Sequence, residues 1–226
     1  MNLVIPIVVV CLVIAALWYV MVLHRGKQSL SNAILLDDLE KFSRLIPNIT
    51  QYDNKHRKEP SLLIRAADRN AVSILSFLID KKVDVNAKDT NRLTPLMYAA
   101  QNNGNDKQFL CIKRLLSAGA DINARDNNGR TALMYAAAHA AHPKLLIPLL
   151  LAHGADVHAV DEYGMTAPKY WYNFRTGDKK YQLRDETEVR NIFRSAGNDD
   201  VSLEGIDYTA QQRAMLTIGH VVVRYV

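Results

Sequence analysis

Cysteine is almost missing from this sequence. Only Cys11 and Cys111 occur, and Cys11 sits in an apolar run where nothing brings it to the other, so a disulfide framework is excluded and a reducing compartment is permitted. Glycine is also sparse, with 10 residues, and none belongs to a Gly-rich phosphate loop. HExxH and GxSxG are absent as well. The expectation is a non-enzyme without a cofactor. Neither charge sign dominates: 28 Lys and Arg against 23 Asp and Glu leave +5. That is mildly basic and well short of a nucleic-acid binder, so no nucleic-acid partner is expected.

One long hydrophobic run is present. Residues 3–23, LVIPIVVVCLVIAALWYVMVL, contain no charge, Asn, Gln, Ser or Gly. As a helix they would span about 30 Å, the thickness of a bilayer core. Trp18 and Tyr19 stand near its far end, where aromatic rings favour the interface. A cleaved signal peptide needs a positive n-region and a small-x-small site, and neither flanks the run. A buried core helix would show a polar face, and none exists. Residues 1–24 are therefore expected to anchor the chain in a membrane. Arg25 and Lys27 follow the run, which favours a cytoplasmic domain, with a periplasmic one as the alternative. KHRKEP, residues 55–60, is either a solvated loop or a contact to anionic lipid.

The rest of the chain repeats itself. KDTNRLTPLMYAA and IKRLLSAGADINA are followed by RDNNGRTALMYAA and LIPLLLAHGADVHA. SLLIRAA (61–67) and VDVNAKD (83–89) match upstream, and SLSNAI with DLEKFSRLI reads as a degenerate first unit. DEYGMTAPKYWY and VRNIFRSAG form a degenerate last one. Thr before the first helix suits an N-cap and Pro95 its first turn. Paired alanines allow close helix approach. Gly119 and Gly154 suit positive φ after the second helix.

This pattern resembles the ankyrin repeat. The resemblance implies an all-α solenoid of helix-turn-helix units with β-hairpin fingers, here 28–60, 61–87, 88–124, 125–159 and 160–197. The anchor precedes them. The tail, 198–226, departs from the family and is expected to form a short helix at TAQQRAML and a strand or cover at HVVVRYV. In the ankyrin pattern of about 33 residues, Thr precedes the Gly of Gly-Ala-Asp by about 21. Thr94 to Gly119, Thr131 to Gly154 and Thr166 to Gly197 are longer by four, two and ten. The extra residues fall between the two helices, in QNNGNDKQF, HAAHPK and FRTGDKKYQLRD. They read either as drift at a surface turn or as a row of polar loops forming a binding edge.

Arg65, Tyr98, Tyr135 and Tyr170 share one position in successive first helices. They form either a ladder facing a partner or packing between repeats. The resemblance makes the finger tips candidates for partner contact: Asn91 and Arg92, Asn128 and Arg130, and Tyr163. Arg92 replaces the usual turn Gly, a departure that strains the finger or aims a side chain outward. His139, His142, His153 and His158 lie near one another, but no Cys or carboxylate completes a metal set. Cys111 aligns with a core position. Such arrays bind proteins. The small size and near-consensus repeats resemble bacterial envelope ankyrin proteins, implying either an immunity protein against a toxic effector at the inner membrane or a scaffold holding an enzyme there.

Overall fold

The structure, a computed structural model, describes residues 29–49, 52, 60–102, 106–139, 142–175 and 185–197. The apolar run 3–23, most of KHRKEP and the tail 198–226 lie outside the described residues. The regular elements are α1 (29–35), α2 (Leu39–Leu45), α3 (Leu62–Asp68), α4 (Val72–Asp80), α5 (Pro95–Gln101), α6 (Asp106–Ser117), α7 (Ala132–His139), α8 (Pro143–Ala152), α9 (Ala167–Arg175) and α10 (Asp185–Ser195). No strand occurs among the described residues, and no described helix is long and apolar enough to cross a membrane.

The helices form two layers. The inner layer stacks α3, α5, α7 and α9 side by side. In the three middle units the second helix packs behind the first, and within this outer layer α4 meets α6 and α8 meets α10. Composition explains the division. The inner helices carry the Ala pairs Ala66–Ala67, Ala99–Ala100 and Ala136–Ala137, all with no exposed surface, so their backbones approach closely on both sides. Accordingly α7, touching α5, α8 and α9, buries every residue except His139. An outer helix needs one apolar stripe only. In α6 the buried residues Gln108, Cys111, Ile112 and Leu115 follow the i, i+3, i+4, i+7 spacing. Cys111 is indeed core, and burial pushes its thiol up to about 12, so it is inert as a nucleophile.

The caps follow the expectation in part. The Thr94 and Ser61 hydroxyls accept from the Met97 and Ile64 N–H groups, both at 3.3 Å, with Pro95 opening α5. Thr131 and Thr166 hold the same position, yet their buried hydroxyls have no partner among the described residues. Gly119, Gly154 and Gly197 take φ of 86°, 87° and 91° after their outer helices. Lys82 fills that place in the earlier unit at φ 60°, and Arg92 fills the finger glycine's place at φ 62°. The strain expected of Arg92 is therefore present in its backbone.

The added residues are largely absorbed by helix. Between α5 and α6, three of four lengthen the outer helix, which has 12 residues against 9 in α4. In the next unit, one lengthens α7 to 8 residues against 7 in α3, and one lengthens α8 to 10. A row of polar loops does not result there, because a helical residue satisfies its own backbone whereas a loop residue needs water or a side chain. Of the links between the two helices of a unit, the one between α9 and α10 is the long one, and its residues 176–184 lie outside the described residues.

Left-handed backbone costs a residue with a Cβ about 1–2 kcal/mol, partly offset by glycine's greater freedom in the unfolded chain. Arg92→Gly and Lys82→Gly are each expected to stabilise the protein by about 0.5–1 kcal/mol in urea titrations. Gly119→Val is expected to lose about 1–2 kcal/mol through backbone strain alone, since a Cβ there meets nothing within 4 Å.

Candidate functional site

Each finger is built around one aspartate. Asp89 Oδ1 accepts from the Asn91 and Leu93 amides at 2.9 and 2.8 Å, closing the turn, and its Oδ2 accepts from the Tyr98 hydroxyl at 2.9 Å. Asp126 does the same with the Asn128 and Arg130 amides, both at 2.8 Å, and Tyr135 at 2.7 Å. Asp161 repeats it with Tyr163, Met165 and Tyr170, at 2.9, 2.8 and 2.6 Å. The carboxylate thus pins the finger to the inner helix that follows it.

This clasp decides the role of the tyrosine row. Tyr98, Tyr135 and Tyr170 are 4%, 2% and 1% exposed, so they pack between repeats and offer no face to a partner. Burial, with smaller contributions from the neighbouring carboxylates, raises the Tyr135 and Tyr170 hydroxyls far above the ordinary range. Arg130 is also corrected. It is 2% exposed, its Nε donates to Asp126 Oδ2 at 3.0 Å, and its guanidinium lies 5.3 Å from the Tyr135 ring centre. Burial alone would lower its pKa, but Tyr135 and Asp126 outweigh that and raise it. Its Nη1 is buried without a partner among the described residues.

The exposed part of each finger is its tip. Asn91, Arg92, Asn127 and Glu162 are exposed, and Asn128 and Tyr163 are partly so. Neighbouring tips are joined through main-chain atoms. The Asn127 amide donates to the Asn91 carbonyl at 3.0 Å, and the Glu162 amide to the Asn128 carbonyl at 2.9 Å. No ladder of such bonds forms, because each Asp takes the amides at its second and fourth following residues. The fingers are therefore turns rather than β-strands. At their other edge, Asn86 bridges to the next unit by donating to the Gly119 carbonyl at 3.3 Å and accepting the Asp121 amide at 2.7 Å. Asn123 repeats this with Gly154 and Asp156, at 3.0 and 2.8 Å.

A helix pair, a finger and a bridging Asn, repeated with these contacts, correspond to a known unit. A family model described as ankyrin repeats (3 copies) matches residues 30–126 and 105–170. The chain belongs to the ankyrin-repeat family. No curated protein matches it. Ankyrin repeats generally serve as protein–protein interaction modules, which turns attention to the tips rather than to any reaction centre. The histidines of this ankyrin array have separate surroundings. His153 Nδ1 lies 2.9 Å from the Leu149 carbonyl, His142 precedes α8, and the His158 amide donates to Asp156. Among the described residues no group of three metal-ligating side chains converges. His139 is half-buried, and burial together with Arg130 lowers its pKa to about 4.

Two pH limits follow. The phenols of Tyr135 and Tyr170 stay protonated in the fold while the unfolded chain ionises near pH 10. Stability should be unaffected by them at pH 8 and fall above 10, by about 1.4 kcal/mol per residue at pH 11. Tyr135→Phe and Tyr170→Phe should each flatten that alkaline loss in urea titrations. His139 runs the other way: the unfolded chain takes up its proton near 6.5 and the fold only near 4. Its contribution is complete above pH 7 and falls by about 2 kcal/mol by pH 5, a loss that His139→Gln should remove.

Proposed function

We propose that this chain is a membrane-tethered ankyrin module that captures a partner protein on its finger tips and performs no chemistry of its own. One observation carries the reading: Asn91, Arg92, Asn128 and Tyr163 present their side chains from backbone that Asp89, Asp126 and Asp161 have already fixed. Such preorganisation lowers the ordering cost of binding. The tether is supported by the uncharged run 3–23, and Arg25 and Lys27 after it favour a domain on the cytoplasmic side of a bacterial inner membrane. Under this reading the partner is either a toxic effector neutralised by an immunity protein or an enzyme held at the envelope by a scaffold. Rescue from a co-expressed toxin favours the first.

The intact protein is expected to stay in membranes through high-salt and carbonate washes. A mature N-terminus beyond residue 23 would remove the tether, and activity of a periplasm-only reporter fused after Val226 would overturn the cytoplasmic placement. With a partner recovered by pull-down on the anchored protein, Arg92→Ala, Asn128→Ala or Tyr163→Ala should include at least one loss of about thirtyfold in affinity, the size typical of an interface anchor. Unchanged affinity in all three would sink the finger-tip site.

A further inference from the structure

The sequence pattern behind the clasp is broken at one place in the array. Nine residues before each of Tyr98, Tyr135 and Tyr170 stands an Asp, but nine before Arg65 stands His56. Arg65, at the tyrosine position of α3, instead turns toward the preceding unit, where its Nη2 donates to the Ser31 hydroxyl at 3.0 Å. Between α1 and α3 lies an open groove of about 470 Å³. Its polar side is formed by Arg65, Arg69 and Asp68, and its apolar side by Ile34, Leu35 and Ile64.

The charges do not cancel. Asp68 Oδ2 lies 3.3 Å from Arg69 Nε, and these two neutralise each other. The corner is sheltered enough that burial raises the Asp68 carboxyl above its ordinary value despite Arg69 beside it. Arg65 is half-buried and has no carboxylate partner among the described residues, only the neutral Ser31 hydroxyl. Among the described residues the groove therefore keeps one uncompensated guanidinium, a group whose planar fork matches a carboxylate. Beside it Leu35 is 58% exposed, followed by Leu36 at 72%. The volume is in the range that receives a few side chains.

We infer that this groove receives an acidic segment of the partner protein, with an Asp or Glu carboxylate on Arg65 and an adjacent aliphatic side chain against Leu35. The assignment rests on the protein-binding reading above, but places a second contact away from the fingers, where a unit departs from the repeat.

The full chain in detergent micelles, panned against a random peptide library, tests it. Enriched peptides should place Asp or Glu next to Leu, Ile or Val. A synthetic peptide of the enriched sequence should bind at least tenfold more weakly to Arg65→Gln and to Leu35→Asp, and equally well to Arg92→Ala. The thermal midpoints of the groove variants should stay near the parent value, since both side chains are exposed in part. Selection without an acidic preference, or equal binding to Arg65→Gln and the parent, overturns the assignment. So does Arg65-dependent binding of dihexanoyl-phosphatidylglycerol with no peptide enriched, which would give the groove to lipid. A recovered partner that loses affinity with Arg92→Ala but not with Arg65→Gln leaves the finger-tip reading standing and removes the groove. Loss with Arg65→Gln, and unchanged affinity in Arg92→Ala, Asn128→Ala and Tyr163→Ala alike, keeps the groove and removes the finger tips.

Discussion

A carboxylate at the root of each finger, buried in Asp126 and Asp161 and half-buried in Asp89, sets the geometry of everything around it. Asp126 takes four hydrogen bonds: two from the amides that close its own turn, one from Arg130 Nε and one from Tyr135. Hydrogen bonds to a charged group contribute about 1.5–3 kcal/mol each. The same atoms therefore fix a turn, orient an inner helix and decide which part of the finger reaches solvent. The Arg130–Asp126 pair is nearly closed to water, at 3% and 1% exposure. Such a pair adds little over an apolar pair while intact but is costly to break, because the survivor is left as an uncompensated charge.

Among the described residues the hydrogen bonds that cross from unit to unit run mainly between neighbours, as expected of a solenoid. Asn86 and Asn123 each reach one unit forward. Asp80 and Arg114 join α4 to α6 at 2.5 Å, although both are too exposed for the pair to weigh much. At the N-terminal end the coupling changes character. Asp37, in left-handed backbone at φ 53°, accepts the Ser73 and Ile74 amides, both at 3.0 Å. It so caps α4, whose own Ala71 has no side-chain oxygen to offer. The first unit thus contributes a cap to its neighbour in place of the finger clasp that the later units share.

Much of this was legible in the residues. The recurrence of TPLMYAA and TALMYAA locates the inner helices, the Ala pairs mark their contacts, and Gly119 and Gly154 mark helix ends. The tyrosine row was visible too, but its role was not decided by position alone. The signal that decides it is the spacing of nine from Asp89 to Tyr98, Asp126 to Tyr135 and Asp161 to Tyr170, which pairs a carboxylate with a phenol in every full finger. Arg130 defeated the simpler rule that finger residues face water: its aliphatic stem and its ion pair with Asp126 let it fill a place that Leu93 and Met165 fill elsewhere, all three being buried. The added residues between helices were located correctly, but their conformation was not evident, since DKQF extends α6 as readily as it could have formed a loop.

The link between adjacent finger tips has a consequence for what a substitution there can alter. Asn127 to Asn91 and Glu162 to Asn128 are joined by amide and carbonyl groups, which every residue except proline possesses in full. The Asn91, Asn127 and Glu162 side chains are not needed to hold the tips in line through those two bonds. Substitutions at Asn91 and Glu162 leave those bonds in place, whereas Asn127 also donates from its side chain to the Thr90 carbonyl at 3.3 Å, and the aspartates beneath have few tolerable replacements. The chemistry of the outermost side chains is thereby largely separated from the bonds that hold the scaffold in register.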